Sequence, residues 1–233
     1  MLGTIVNSLA IIVGSIIGLF IKGGISEKVN DTILKGIGLC VIYIGISGSL
    51  ENNNTIITII CIAIGGLIGE LLDLDKRLNG IGEFIENKLN KRLKNNDSEK
   101  VSIAQGFVSS SLIFCVGAMA IVGSLESGLQ NNHEILFTKS ILDGISSIIF
   151  TASLGIGVIF SSIAVFIYQG IITIGAGILS GVLSDSVVNS MNVVGSLLIM
   201  ALGLNMVGAT KIKVANLLPA VFIPIILGVL SII

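Results

Sequence analysis

Residues 144–184 read GISSIIFTASLGIGVIFSSIAVFIYQGIITIGAGILSGVLS, 41 positions without one charged side chain. A helix needs about 20 mainly apolar residues to cross a hydrocarbon layer of about 30 Å, so this stretch is long enough to cross twice. Two divisions fit it. Either two spans meet at Tyr168-Gln169-Gly170, where glycine and polar neighbours favour a turn, or one span is followed by a re-entrant hairpin. Reading outward for further apolar runs of that length gives eight: Gly3 to Ile21, Thr32 to Leu50, Thr55 to Leu72, Ser102 to Ser124, Gly144 to Ile167, Gly170 to Leu183, Val193 to Ala209 and Val214 to Ile232. The expected fold class is therefore an all-α polytopic membrane protein of about eight transmembrane helices, seven to nine allowing for the ambiguous stretch. A lipid-spanning barrel is excluded because the runs are continuous, not alternating, and unpaired backbone groups are not tolerated in hydrocarbon.

Composition agrees. Of 233 residues 12% are charged and 53% hydrophobic, whereas a soluble domain carries about a quarter charged residues. The formal net charge of −1 predicts no nucleic-acid partner. One histidine and three scattered cysteines, Cys40, Cys61 and Cys115, predict no metal site. The cysteines lie in apolar runs without CxxC spacing and read as small core residues. No HExxH, GxSxG, Walker or dinucleotide-binding pattern is present, so neither an enzyme nor a cofactor is expected. Leu2 to Phe20 lacks a basic leader and a cleavage site, so it reads as a first permanent helix.

Charge places the loops. Seven of the thirteen basic residues, Lys76, Arg77, Lys88, Lys91, Arg92, Lys94 and Lys100, fall in residues 74–100, which the positive-inside rule assigns to the cytoplasm. Leu78, Ile81, Phe84, Ile85 and Leu89 are spaced as on one helical face, so an amphipathic surface helix is expected there, ending at Asn95-Asn96-Asp97-Ser98. Lys22, Lys28, Lys35, Lys211 and Lys213 then fall inside, and with eight spans both termini fall outside. Lys139, in a segment counted as an outer loop, is the dissenting charge.

An offset of 158 residues lays Ile25-Ser26-Glu27 over Leu183-Ser184-Asp185, Val29 over Val187, Leu39 over Leu197 and Gly45 over Gly203. The charge rule runs these two segments in opposite directions. This predicts two inverted three-helix repeats, 1–73 and 169–233, joined by the connector 74–100 and a central pair of spans in 101–168. Inverted repeats are typical of carriers that bind their substrate near the bilayer midplane.

Polar residues within apolar spans need a partner or a function. Asn7, Asn205 and Asn216 are the candidate solute contacts. Glu126 and Asp143 are candidates for an outer gate or cation site, with Asp143 also fitting a helix-opening cap. Glu70, beside Asp73, reads as a solvated end group. Gly203 to Thr210 and Asn216-Leu217-Leu218-Pro219 with Pro224 predict weakened helices. Gly14/Gly18 and Gly65/Gly69 have the spacing of close helix contacts, which is also compatible with a homo-oligomer.

Taken together, Gly3-Thr4-Ile5-Val6-Asn7, Gly117-Ala118-Met119, Leu142-Asp143-Gly144, Leu154-Gly155-Ile156-Gly157-Val158, Tyr168-Gln169-Gly170 and Val214-Ala215-Asn216-Leu217-Leu218-Pro219-Ala220 resemble the bacterial membrane family catalogued as domain of unknown function 554. The resemblance implies a multi-pass protein of the bacterial cytoplasmic membrane, loosely associated with biofilm formation. It marks Asn7, Asp143, Gln169 and Asn216 as the polar motif positions. The expected function is a secondary transporter or ion-coupled carrier of a small solute, its partners being the lipid bilayer and that solute or ion. The alternatives are a membrane scaffold or signalling protein acting through residues 74–100, and a passive channel.

Overall fold

The structure is a computed structural model describing residues 1–22, 27–50, 54–80, 103–116, 118–179, 181, 183–230 and 232, and every regular element among them is helical. In chain order these are α1 (Leu2–Lys22), α2 (Glu27–Ser49) and α3 (Thr55–Leu72), then α4 (residues 74–80). They continue with α5 (Ile103–Cys115), α6 (Ala118–Leu129), α7 (Glu134–Leu154), a 3-10 turn at Ile156–Phe160, α8 (Ser161–Ile174), α9 (Ala176–Leu179) and α10 (Asp185–Met206). The last run consists of α11 (Val214–Leu217), a second 3-10 turn at Leu218–Phe222 and α12 (Ile223–Val229). The connector expected to end at Asn95 to Ser98 lies, from residue 81 to 100, outside the described residues.

Six of these segments are long and apolar enough to cross a membrane: α1, α2, α3, α7, Ile156–Ile174 and α10. The α5–α6 pair, bent by 61°, makes a seventh if it is one span. The eighth expected run is present only as the short pieces from Val214 to Val229. Pro219 and Pro224 each remove a backbone donor there, which breaks the helix at those points.

The long uncharged stretch divides elsewhere than expected. The chain turns at Gly155, whose φ of 82° and ψ of −166° are open only to glycine. Tyr168-Gln169-Gly170 is not a turn but lies inside α8, with Gln169 fully buried against the bundle. The runs Gly144 to Ile167 and Gly170 to Leu183 are thus replaced by α7, which starts ten residues earlier, and by Ile156–Ile174. Two further corrections follow. Asp143 does not open a helix, and Lys139 does not lie in a loop; both are well inside α7. Cys61 is buried as expected, but Cys40 is exposed on α2.

Glycines set the packing. A Cβ at Gly14 would overlap Ser147 Oγ and the Gly144 carbonyl, and one at Gly18 would lie 2.5 Å from the Ile148 carbonyl, so α1 and α7 touch backbone to backbone and run parallel. Ascending α2 from Gly38 through Gly45 to Gly48 descends α10 from Val207 through Met200 to Ser196, so this pair is antiparallel. Likewise Gly65 and Gly69 of α3 abut Ala220 and Asn216, again antiparallel. Small residues allow such approach where lipid supplies no hydrophobic drive between helices. The apolar side chains not used in packing face outward: Leu2, Leu9, Val13 and Phe20 on α1, and Ile56, Ile59, Leu67 and Leu71 on α3, are all more than half exposed. A continuous apolar exterior of this kind fits hydrocarbon, not water.

Candidate functional site

Five residues into α1 and five into α7, counted from Leu2 and Glu134, Asn7 and Lys139 meet Asp143. Lys139 Nζ donates to both carboxylate oxygens, at 2.8 Å and 2.7 Å. Asn7 Nδ2 donates to Asp143 Oδ2 at 3.0 Å. The ion pair is only 6% exposed at each residue and Asn7 is completely buried. At a rise of 1.5 Å per residue the group lies roughly 8–14 Å inside the ends of these spans.

Other polar groups converge on the same level. Thr4 Oγ1 and Thr173 Oγ1 are 3.5 Å apart, joining α1 to the C-terminal part of α8. Gly128 of α6 abuts the Thr173 carbonyl, at the end of α6 from which the chain enters α7, so α8 runs antiparallel to α7 and α1. Gln169, one turn before Thr173, thereby comes to the height of Asn7 and Ser8, one turn after Thr4. Gln169 is completely buried, yet among the described residues neither its Oε1 nor its Nε2 has a hydrogen-bond partner. Asn7 Oδ1 and Ser8 Oγ are in the same condition. Across from them α5 ends at Cys115, which lies within electrostatic reach of both Lys139 and Asp143. The bend between α5 and α6 therefore falls beside the ion pair.

Stability does not account for this arrangement. A charged residue at the centre of a span costs on the order of 3 kcal/mol on insertion scales, and replacing a buried ion pair by apolar residues is often neutral or stabilising. Each buried polar atom without a partner adds about 1–3 kcal/mol. The order Lys139 then Asp143 also places the cation nearer the positive end of the helix, the less favourable sense.

Of the five residues picked out in the sequence, only Asn7 and Asp143 come together. Glu126 accepts from Asn132 Nδ2 at 3.2 Å, in the connector from α6 to α7. Asn205 ends α10 with its amide taken up by the following connector: Oδ1 accepts from Thr210 Oγ1 at 2.7 Å and from Ile212 N at 2.9 Å, and Nδ2 donates to the Ile212 carbonyl at 2.7 Å. Its amide holds this loop. Asn205→Leu should lower unfolding free energy by about 1–3 kcal/mol by orphaning these groups, read by thermal unfolding; an unchanged midpoint would show that the loop does not need it. Asn216 is buried at the α3–α11 contact, donating to Glu70 Oε2 and accepting from Asp75 N at 2.7 Å.

Glu70 also accepts from Lys213 Nζ at 3.1 Å, both side chains being more than half exposed. That hydrogen bond, and then the charge of Glu70, raise Lys213 above the usual lysine value. Because the folded value is the higher one, then, as long as Glu70 is ionised, the contribution from Lys213 is complete below the ordinary lysine pKa of about 10.4 and is lost as pH climbs through the raised value.

Lys139 was missed in the sequence as a site residue, and Gln169, marked there only by the family resemblance, was placed in a turn and not on a buried helix face. The available signal was the spacing Lys139, Asp143, Ser147, Thr151, a polar residue every fourth position, which beginning the span at Gly144 cuts in half.

Helical spans around a buried, amide-bonded ion pair define a polytopic membrane protein with an intramembrane polar centre. The chain belongs to the family described as "Protein of unknown function (DUF554)", whose profile matches residues 2–229. It is 33% identical to the "Uncharacterized membrane protein YdfK" of Bacillus subtilis (strain 168), over 96% of this chain and 94% of the relative. It is 28% identical to the "Uncharacterized protein YqgA" of Escherichia coli (strain K12), over 95% of this chain and 94% of the relative. No solved structure matches the chain.

Proposed function

We propose that this membrane protein is a secondary carrier of a small polar solute in the bacterial cytoplasmic membrane, binding it at the centre formed by Asn7, Lys139, Asp143 and Gln169. The observation that carries the reading is the pairing of a buried ion pair with a fully buried amide that has no partner among the described residues, at the same depth. An ionisable residue inside a span is by default a functional group. The centre offers donors and acceptors of both kinds around a charge-neutral pair, which suits a small neutral or zwitterionic solute better than a free ion.

The packing supports alternating access. With the second repeat taken from Ser161, where α8 begins, in place of 169, each helix of the first third touches its counterpart at the offset of 158 residues, and each of the three contacts is antiparallel: α1 with α8, α2 with α10, and α3 with the broken run from α11 to α12. This is the relation expected of inverted repeats that rock against one another. The bend at the end of α5 and the broken last span supply discontinuous helices, the usual companions of such sites.

The orientation has its own consequence. Lys28→Cys and Asp185→Cys, near the starts of the antiparallel helices α2 and α10, should react with an impermeant thiol reagent from opposite sides of the membrane, Lys28→Cys from the cytoplasm. Labelling from one side removes the inverted-repeat reading.

Function is tested with proteoliposomes in isosmotic glycine, urea or glycerol, followed by light scattering. Uptake above empty vesicles, saturating with solute concentration and reduced about tenfold or more in Gln169→Leu, is expected from loss of a buried hydrogen-bonding partner of the solute. Linear, unsaturable uptake would indicate a channel, and wild-type rates in Gln169→Leu would remove this centre from the transport path.

A further inference from the structure

Below the ion pair, the α1–α7 interface carries hydroxyl groups away from it. On α7, Lys139, Asp143, Ser147 and Thr151 follow one another at every fourth position, and all are buried. On α1, Asn7 faces Asp143, and Thr4, Ser8 and Ser15 follow one another on the neighbouring stripe, the one that meets α8 at Thr173, all of them buried. Ser109 of α5, also completely buried, adds a third side at the height of Thr151, since Gly106 abuts the Leu154 carbonyl. From Lys139 to Thr151 this column is roughly 18 Å long at the helical rise.

The hydroxyls of the column fall into two kinds. Ser140, Ser147 and Ser110 bond back to carbonyls three or four residues earlier in their own helices, the ordinary way for serine to be satisfied inside a helix. Ser8, Ser15, Ser109 and Thr151 do not: among the described residues their hydroxyl oxygens have no partner. A buried hydroxyl must find a partner, and water is what satisfies groups of this kind in an otherwise apolar interior. Hydroxyls linked by water at hydrogen-bonding distance form a path along which a proton moves and a metal ion does not, since a metal ion has to exchange its whole coordination shell for ligands fixed in the wall.

We propose that the coupling ion is a proton, accepted by Asp143 and delivered along the Ser15–Thr151–Ser109 column from the end of the bundle where Gly155 breaks the chain. This rests on the carrier reading above and names its energy source. In the step, a hydronium ion at that end gives up a proton to the file and one proton forms an O–H bond at Asp143. The carboxylate becomes a carboxylic acid, a water is left behind, and the site gains one positive charge, held by Lys139. The ion pair is thereby broken, and the freed ammonium becomes available to a solute. A metal cation is disfavoured at this carboxylate because Lys139 already occupies both oxygens, and among the described residues no group of three or more His, Cys, Asp or Glu gathers anywhere.

The groups facing the pair are few. From α5 comes Cys115, and from α8 Tyr168 within reach of Cys115. α1 contributes Asn7 and no charged side chain near it. Glu126 on α6 is held by Asn132, and on α2 Asp31 and Lys35 pair with each other at the surface.

The test uses the full chain in nanodiscs, in weakly buffered solution with a pH-indicating dye, followed by stopped flow after a step to lower pH. Wild-type protein is expected to take up one proton per chain more than the double variant Lys139→Met/Asp143→Asn, which removes the acceptor without leaving a lone buried charge. Thr151→Val and Ser15→Ala should slow this component by about tenfold, the effect of losing one hydrogen-bonded relay group, while leaving its midpoint pH unchanged. A merely structural role would shift the midpoint or the amount, not the rate alone. Uptake by the double variant equal to wild type overturns Asp143 as the acceptor, and unslowed uptake in both hydroxyl variants overturns the column as the path. Proton uptake as described in a protein that moves no solute would leave Asp143 as a proton acceptor reached through the column but end both the carrier reading and the coupling assigned here; solute exchange without such uptake would keep the carrier reading and overturn the proton as its coupling ion.

Discussion

Asp143→Asn is expected to lower the unfolding free energy of the purified protein by about 3–5 kcal/mol at neutral pH, because it leaves the Lys139 ammonium buried and without a counter-charge. The side chain keeps its shape, so the loss is electrostatic and not a packing defect. Lys139 cannot reach water from its position 6% exposed on α7, and Asn7, the other partner of Asp143, offers it no charge. The companion double variant Lys139→Met/Asp143→Asn should recover most of the loss, since removing both charges also removes their desolvation. Unfolding is followed by a thiol-reactive dye in a Cys40→Ser background, because Cys40 is exposed while Cys61 is buried in the native protein, and the chain has no tryptophan. A single variant as stable as wild type would mean that the pair is not ionised, and the charge-based account of the site would fall with it.

The second large effect is expected at Gly69. A Cβ there would overlap the carbonyl oxygen and carbon of Asn216, which are backbone and cannot turn aside. Gly69→Leu must push α3 away from α11, breaking the Asn216 bonds to Glu70 and Asp75 in the same movement. Overpacking costs about 1–3 kcal/mol where side chains can adjust, and more where they cannot. Loss of about 3 kcal/mol or more, or failure of the protein to accumulate in the membrane, is the expected result. Gly36 supplies the control: nothing lies within 4 Å of a Cβ at that position, so Gly36→Leu should unfold as wild type does. Equal behaviour of the two variants would show that the α3–α11 approach is looser than described.

The spans were legible because lipid allows few solutions: a run of about 20 apolar residues in hydrocarbon must be helical. The glycine pairs Gly14/Gly18 and Gly65/Gly69 were legible for a related reason, as only small side chains let two helices approach without a hydrophobic drive. The division of residues 144–184 was not legible. A stretch with no charge has no boundary signal, and the actual break rests on one glycine, Gly155, at a positive φ.

The candidate site shows the same divide. Asn7 and Asp143 stood out individually as polar residues in apolar surroundings, but the same test also picked Asn205, which is used up by its own connector. Lys139 escaped because a lysine at the edge of an apolar run looks like a loop residue until the helix is seen to begin at Glu134. Gln169 was marked by the family resemblance but placed in a turn, because a glutamine beside glycine is a normal turn composition.

By itself, then, the order of residues determined that this protein is a membrane-embedded helical bundle and which side chains are costly there, because solvation energy acts on each residue and each helix separately. Only the tertiary structure decided which of those side chains meet. Asn7 and Asp143 are 136 positions apart in the chain and come together because α1 and α7 pack in parallel on glycine surfaces, a contact that depends on the shapes of two helices at once and is written in neither alone.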